Sequence, residues 1–271
     1  MNRIDAIFKA LRAGNSSSTG RKAIMPFLTV GDPTLAATQT LLPSIEKAGA
    51  SICELGIPFS DPVADGPVIQ DSMNHALAQG LRVRQVFDMV SAVRSCVNMG
   101  LVAMVSYSLV HRWGPQSFIT AAASAGIDGF IFPDLPVEES ADIRRWAAEK
   151  QLTCSFLVSP TTPDHRVEQI VGACTGFIYV LARAGVTGEQ SQLPVDLTLR
   201  VSRLRQMSDL PIAVGFGVSS AQHVRQVVSV ADAAIVGSAI MRRIAPLRSA
   251  DMSTLTREVA GFVQELATGL V

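Results

Sequence analysis

The sequence lacks the features that define several large classes of protein. Its formal net charge is zero, with 23 Lys and Arg residues against 23 Asp and Glu residues, which argues against broad binding to nucleic acid or membrane surfaces. No apolar run approaches the roughly 20 residues that span a bilayer. The first residues show charges between helically spaced apolar positions, unlike a signal peptide. We therefore expect a cytoplasmic protein.

Cysteine and histidine are few and scattered. The four cysteines form no Cys-x-x-Cys pair, and the four histidines lie far apart along the chain. This ligand spacing predicts no metal site. Cys53 and Cys154 lie in apolar runs, where a free buried thiol is the ordinary interpretation.

Apolar residues, in contrast, make up 48% of the 271 residues, which predicts a globular protein with a large core. After an amphipathic helix at Asn2–Ala13, short apolar runs alternate with longer runs of helical periodicity. The predicted strands are Ala23–Val30, Ser51–Ile57, Leu101–Tyr107, Gly129–Phe132, Thr153–Ser159, Gly176–Ala182, Pro211–Gly215 and Ala233–Val236. The predicted helices between them are Leu35–Ala48, Pro67–Asn98 (broken near Gly80), Pro115–Ala125, Glu138–Lys150, Pro163–Ala173, Asp196–Met207, Ala221–Val228 and Ser253–Ala267.

Eight strands that are each followed by a helix predict a parallel sheet covered on both faces. Eight such units in about 240 residues match a closed (β/α)8 TIM barrel, here a single domain over residues 1–271 with an extra N-terminal helix. An open, doubly wound sheet is the alternative. It is disfavoured because Val30–Pro33 stands where a Gly-x-Gly-x-x-Gly turn would follow the first strand.

Glu54 is the unusual residue of the second strand. Side chains alternate across a strand, so Cys53, Leu55 and Ile57 form an apolar face toward the helices and Glu54 points into the barrel. A buried glutamate has a raised pKa and can exchange protons near neutral pH. Two interpretations follow from the pattern: catalysis, or a structural pair with Lys or Arg, although no predicted strand contains either residue.

Other candidate positions follow the ends of strands, where barrel enzymes place their active sites. Asp61 and Asp65 lie in a long polar loop, where by spacing alone both are typical turn or cap residues. Gly215–Ser219 and Val236–Ala239 follow the last two strands, where barrels often bind phosphate through backbone amides; tight turns are the alternative. Arg183–Leu193 has the length and composition of a mobile lid, or of an inert surface loop.

Read in order, six segments resemble the α subunit of tryptophan synthase, and they run from the first strand to the last. The second segment is the most specific. The six are Pro26–Pro33, Glu54–Gln70 (ELGIPFSDPVADGPVIQ), Pro133–Glu139, Pro160–Pro163, Arg183–Gly188, and Gly215–Gly217 with Gly237–Ser238.

The resemblance implies a lyase that cleaves indole-3-glycerol phosphate by a retro-aldol reaction to indole and glyceraldehyde 3-phosphate. By motif, Glu54 matches the general acid and base, and Asp65 matches the acid that binds the indole N–H. Phe27, Tyr179 and Phe216 match pocket residues, and Thr187 matches a lid residue that closes onto Asp65. The phosphate-binding positions are matched by Gly188, Gly217, Gly237 and Ser238.

The resemblance also implies a partner, a β subunit that holds pyridoxal phosphate in an α2β2 complex, with no cofactor in this chain. Asp61 matches a position that meets this subunit. Two segments depart from the common family pattern: Tyr107–Leu109 replaces Tyr-Asn-Pro, and Glu189–Gln190 replaces Ala-Arg. Two alternatives stay open: another phosphate-binding barrel enzyme acting on an indole precursor, and a chain that mainly activates a β subunit.

Overall fold

The structure is a computed structural model that describes residues 1–14, 22–62, 65–182, 196–215 and 217–270. It begins with helix α1 (Arg3–Arg12), for which the side chain of Asn2 caps the N-terminus by accepting a hydrogen bond from the Ile4 amide. The extra N-terminal helix predicted from the apolar spacing is therefore present.

Nine parallel strands of the described residues form a nearly closed barrel. They run in the order β5-β4-β3-β2-β1-β9-β8-β7-β6. Their bounds are β1 Ala23–Thr29, β2 Ile52–Gly56, β3 Gly100–Met104, β4 Gly129–Ile131, β5 Thr153–Ser155, β6 Leu157–Val158, β7 Ile178–Leu181, β8 Ile212–Gly215 and β9 Ala233–Val236. The barrel prediction is confirmed, but the predicted fifth strand is interrupted at Phe156. Its first half pairs with β4 and its second half with β7, so this one run of chain forms both edges of the sheet.

Helices cover the outside of the barrel. Their bounds are α2 Leu35–Lys47, α3 Pro67–Ala78, α4 Val83–Val93, α5 Tyr107–Trp113, α6 Pro115–Ala125, α7 Ala141–Glu149, α8 Asp164–Ala173, α9 Leu197–Met207, α10 Ala221–Val228, α11 Ser238–Ile244 and α12 Met252–Ala267. The predicted break near Gly80 is confirmed, since this glycine has φ +75° between α3 and α4. None of the helices in the described ranges is long and apolar enough to cross a membrane.

The predicted strand Leu101–Tyr107 is too long. It ends at Met104, and Tyr107 begins helix α5, because the Ser106 side chain caps that helix by accepting a hydrogen bond from the Ser108 amide. The apolar run continues through this boundary, so hydrophobicity alone did not reveal the change from strand to helix.

Helix α1 closes the lower end of the barrel, which is the end where the strands begin. Its buried residues Ile4, Phe8 and Leu11 belong to the same apolar cluster as the inward side chains of the strands. A larger cluster fills the layer between sheet and helices. Since the lower end is filled, the upper end, where the strands finish, is left to hold a site.

Candidate active site

Strand β2 carries Glu54 between β1 and β3, opposite Phe27 on one side and Val102 on the other. Within β2, Ile52 packs in the inner cluster, whereas Cys53 and Leu55 pack in the outer one. The alternation of a strand therefore directs the Glu54 side chain into the barrel.

Glu54 is a buried acid without a partner. It is 1% exposed, and neither Oε1 nor Oε2 has a hydrogen-bond partner among the described residues. Burial raises its pKa to about 8, and the nearby charge of Asp65 adds to the rise. The alternative interpretation is a structural pair with Lys or Arg. In the described part of the chain, Glu54 forms no such ion pair.

Asp65 lies at the upper end, in the loop that joins β2 to α3. The predicted role as a helix cap is wrong: Gly66 is the N-cap of α3, and no side chain caps that terminus by hydrogen bond. The Asp65 carbonyl instead accepts a hydrogen bond of 2.7 Å from Gln70 Nε2, which fixes the residue to the first turn of the helix. Asp65 is half-buried, and burial raises its pKa to about 6.

Phe27 and Tyr179 are buried aromatic residues that lie against glycines of neighbouring strands. A Cβ atom on Gly56 would overlap the Phe27 ring, and one on Gly215 would lie 2.6 Å from the Tyr179 hydroxyl oxygen. Burial raises the pKa of Tyr179, and the charges of Glu54 and Asp65 raise it further. The Tyr179 phenol is therefore within electrostatic range of both acids.

A cavity of about 330 Å³ lies beside Asp65, above the ends of β2, β3 and β4. Its walls are largely apolar, with a few polar groups, as is typical of small-molecule sites. The lining residues are Ile57, Phe59, Asp61, Pro62, Asp65, Met73, Met104, Val105, Ser106, Ser108, Pro133 and Asp134.

Asp134 is a residue of this cavity that the sequence did not single out. Its carboxylate accepts hydrogen bonds from Ser106 Oγ at 2.6 Å and from the Tyr107 amide at 2.8 Å. The bonds join the loop after β4 to the start of α5, and they hold the segment Tyr107–Leu109 in place. The available signal was its position, an acid two residues after an apolar strand run.

Three of the predicted phosphate-binding residues follow the neighbouring strands β8 and β9. Gly217 has φ +76°, a conformation that favours glycine, Gly237 is the N-cap of α11, and Ser238 is its first residue. A Cβ on Gly237 would lie 3.6 Å from Cβ of Phe27, so this end of the site adjoins Phe27.

Part of the predicted site lies outside the described residues. This applies to Thr187, Gly188 and Phe216, to the predicted lid Arg183–Leu193, and to the departure at Glu189–Gln190. The structure therefore brings together Glu54, Asp65, Phe27 and Tyr179, with Gly217, Gly237 and Ser238 at the same end of the barrel.

Known proteins are similar to this chain in both sequence and fold. The family model "Tryptophan synthase alpha chain" matches residues 14–270. The tryptophan synthase alpha chain of Chloroflexus aurantiacus is 41% identical over 271 residues, covering 100% of this chain and 99% of that protein. The relative from Chloroflexus aggregans is 44% identical over 245 residues, covering 90% of each chain.

Solved structures agree with the sequence relatives. The tryptophan synthase subunit alpha of Legionella pneumophila superposes with a TM-score of 0.89 at 32% identity, covering 100% of this chain and 98% of that one. A structure of Mycobacterium tuberculosis tryptophan synthase gives a TM-score of 0.88 at 32% identity, covering 99% and 98%. The chain belongs to the tryptophan synthase alpha chain family, the lyases that cleave indole-3-glycerol phosphate in tryptophan biosynthesis.

Proposed function

We propose that Glu54 is the general acid and base of the retro-aldol cleavage, and that Asp65 is its electrostatic partner. The observation that carries the proposal is a buried glutamate without a partner beside a second acid that is more exposed. Their pKa values, about 8 and about 6, leave Glu54 largely protonated and Asp65 largely ionised at pH 7. Two carboxyl groups with separated pKa values are the usual arrangement for an acid and an anion in one site.

The reaction needs one proton added and one removed. Protonated Glu54 donates its proton to the indole carbon C3, which gives an indolenine-like cation. The resulting carboxylate then accepts the proton of the glyceryl hydroxyl next to the bond that breaks. The C–C bond electrons return to the ring, indole and glyceraldehyde 3-phosphate are released, and Glu54 regains its proton.

Asp65 acts on the charge that this protonation creates. An ionised carboxylate that accepts a hydrogen bond from the indole N–H stabilises the cation. The effect is larger beside the apolar residues of the cavity wall than it would be in water, because a lower local dielectric strengthens the interaction between the two charges. The half-buried position of Asp65 in the cavity wall supports this role, since the anion is held in place before the reaction begins.

The remaining roles rest on the match to the family motifs. Phe27, Tyr179 and Phe216 enclose the indole and glyceryl groups, and Thr187 closes onto Asp65. The phosphate is bound by backbone amides near Gly188, Gly217 and Gly237, together with Ser238. The adjacent positions of Phe27 and Gly237 support a substrate that extends from the cavity to the end of β9.

We further propose that this single-domain chain is cytoplasmic and functions in an α2β2 heterotetramer with a β subunit. Pyridoxal phosphate is expected in that partner, and no cofactor is expected in this chain. Among the relatives, the Mycobacterium tuberculosis structures bear the name tryptophan synthase. We expect the β subunit to contact this chain at the cavity residues Asp61 and Ser108.

The test is indole release from indole-3-glycerol phosphate, with and without a β subunit, in wild type and Glu54→Gln. We expect a loss of ~10²–10⁴-fold or more, the usual contribution of general acid–base catalysis. Glu149→Gln, which changes an exposed glutamate on α7, is the matched control. Turnover near the wild-type rate in Glu54→Gln would refute the role of Glu54.

A further inference from the structure

Arg248 joins three separate elements at the upper end of the barrel. Its Nε and Nη2 donate to the two carboxylate oxygens of Asp32, at 2.8 and 3.0 Å. Its Nη2 also lies 2.8 Å from Oδ2 of Asp71. Asp32 follows β1, Asp71 is on α3, and Arg248 is four residues beyond the end of α11.

The Asp32 side chain is completely buried, and Arg248 is largely covered, with 22% of its side chain exposed. A planar guanidinium that binds one carboxylate with two hydrogen bonds and forms an ion pair with a second carboxylate is held in one orientation. Among the described residues, His75 on α3 also lies near Asp32, with Nε2 at 3.8 Å from Oδ1.

The same three elements also meet nearer the barrel axis. Thr29, the last residue of β1, shares a hydrogen bond of 2.6 Å with Ser72 Oγ on α3. The Thr29 amide lies 3.5 Å from the sulfur of Met241 on α11. Helices α3 and α11 pack against each other, so Arg248 adds a contact to an existing interface between β1, α3 and α11.

This interface between β1, α3 and α11 lies between the two ends of the proposed site. Helix α3 begins two residues after Asp65, and α11 begins at Ser238. We propose that Arg248 is a positioning residue that fixes the separation between Asp65 and the phosphate-binding segment Gly237–Ser238. The inference rests on the proposed function, which assigns the indole end of the substrate to Asp65 and the phosphate end to Gly237 and Ser238.

A fixed separation affects only ligands that touch both ends. A misplacement of about 1 Å can reduce catalysis by 10²-fold, whereas a ligand that touches one end does not sense the distance. A purely structural ion pair would instead affect all ligands alike through global stability. The ratio of the affinities for a ligand that touches both ends and a ligand that touches one end therefore distinguishes a positioning role from a role in global stability.

The experiment is calorimetric titration of wild type, Arg248→Ala, Arg248→Lys and Asp71→Asn with two ligands. Glycerol 3-phosphate reaches the phosphate end, and indolepropanol phosphate, which lacks the glyceryl hydroxyls, reaches both ends. For Arg248→Ala we expect affinity for indolepropanol phosphate to fall ~10-fold to 100-fold, and affinity for glycerol 3-phosphate to fall less than about threefold. Arg248→Lys should recover part of the loss.

Asp71→Asn removes only the ion pair between Arg248 and Asp71 and keeps the two hydrogen bonds between Arg248 and Asp32. Because Asp71 is 62% exposed, the variant should fold normally, and we expect a fall of about two- to fivefold for the two-ended ligand alone. If Arg248→Ala does not fold, Asp71→Asn decides the question. Arg205→Ala is the matched control, since it removes an arginine from the buried Asp232 at the lower end; it should lower Tm and leave the affinity ratio unchanged.

An unchanged affinity ratio in the Arg248 variants, or in Asp71→Asn if only that variant folds, would overturn the inference. Equal weakening of both ligands would also overturn it, because it would indicate a global structural role. The proposed function fails in a different way: wild type would not bind glycerol 3-phosphate, or Glu54→Gln would retain its turnover.

Discussion

Asp128 at the lower end and Glu54 nearer the upper end are both buried acids of one barrel, but their surroundings are opposite. Asp128 accepts hydrogen bonds from the Leu101 amide at 2.8 Å, from Arg3 at 2.6 Å and from Arg94 at 3.2 Å. Glu54 has no hydrogen-bond partner among the described residues. Burial raises the pKa of both acids, but the amide and the two guanidinium groups oppose the rise only at Asp128.

The lower end repeats this pattern at a second acid. Asp232 accepts a hydrogen bond from the Ile212 amide and lies within salt-bridge distance of Arg12, Lys22 and Arg205. Arg3 and Arg12 are at the two ends of α1, so both acids hold the helix that closes the barrel. The paired acids thus maintain the structure of this protein, while the unpaired acid is available for chemistry.

The largest expected effect comes from breaking a paired acid. Asp128→Ala removes the partner of two arginines and of the Leu101 amide, so we expect the free energy of unfolding to fall by about 3–5 kcal/mol. Urea unfolding of wild type and variant measures it. The control is Asp142→Ala, which removes an exposed pair with Arg145 and should cost at most about 1 kcal/mol. Equal losses in the two variants would contradict the structural role of Asp128.

A change at the unpaired acid should act on stability in the opposite direction. The pKa of Glu54 in the folded protein is about 8, against an ordinary value of 4.5. Between these pH values the folded state holds a proton that the unfolded state does not. Wild-type stability from this group is therefore fully present below about pH 4.5 and is lost as the pH rises through about 8.

Glu54→Gln has no such proton, so the variant should become more stable than wild type as the pH rises. The gap in pKa corresponds to a free-energy difference on the order of a few kcal/mol above pH 8, decreasing toward pH 5. Urea unfolding at pH 5, 7 and 8.5 measures the difference. A variant that is less stable than wild type at pH 8.5 would show that Glu54 has a stabilising partner.

The smallest of these effects concerns the pH dependence of kcat/KM. Ionised Asp65, with a pKa of about 6, and protonated Glu54, with a pKa of about 8, predict a maximum between these values. In Asp65→Asn the residual activity should lose its acid limb. The control is Asp142→Asn, because Asp142 is an exposed acid on α7 that pairs with Arg145 and does not line the cavity; its profile should match wild type within about twofold. An acid limb that persists in Asp65→Asn would assign it to another group.

Some of this organisation was readable from local sequence. Alternating apolar runs predict the βα repeat, and the apolar face of Cys53 and Leu55 predicts the inward direction of Glu54. Capping was less visible: Ser106 ends a strand and starts α5 inside one continuous apolar run. By spacing alone Asp65 is typical of a turn or cap residue. In the structure its amide donates a hydrogen bond to the Pro62 carbonyl, as in a turn, but Gly66 is the N-cap of α3 and the acid lines a cavity.

Local periodicity predicts the barrel and the inward direction of Glu54, because strand and helix patterns are local properties of the chain. The pairing of the buried acids depends instead on contacts between distant parts of the chain. Arg3 and Asp128 are 125 residues apart, and Arg248 and Asp32 are 216 apart, so no local pattern connects them. Since the pKa of a carboxyl group depends on the charges and dipoles that the folded chain brings to it, the difference between Asp128 and Glu54 exists only after folding.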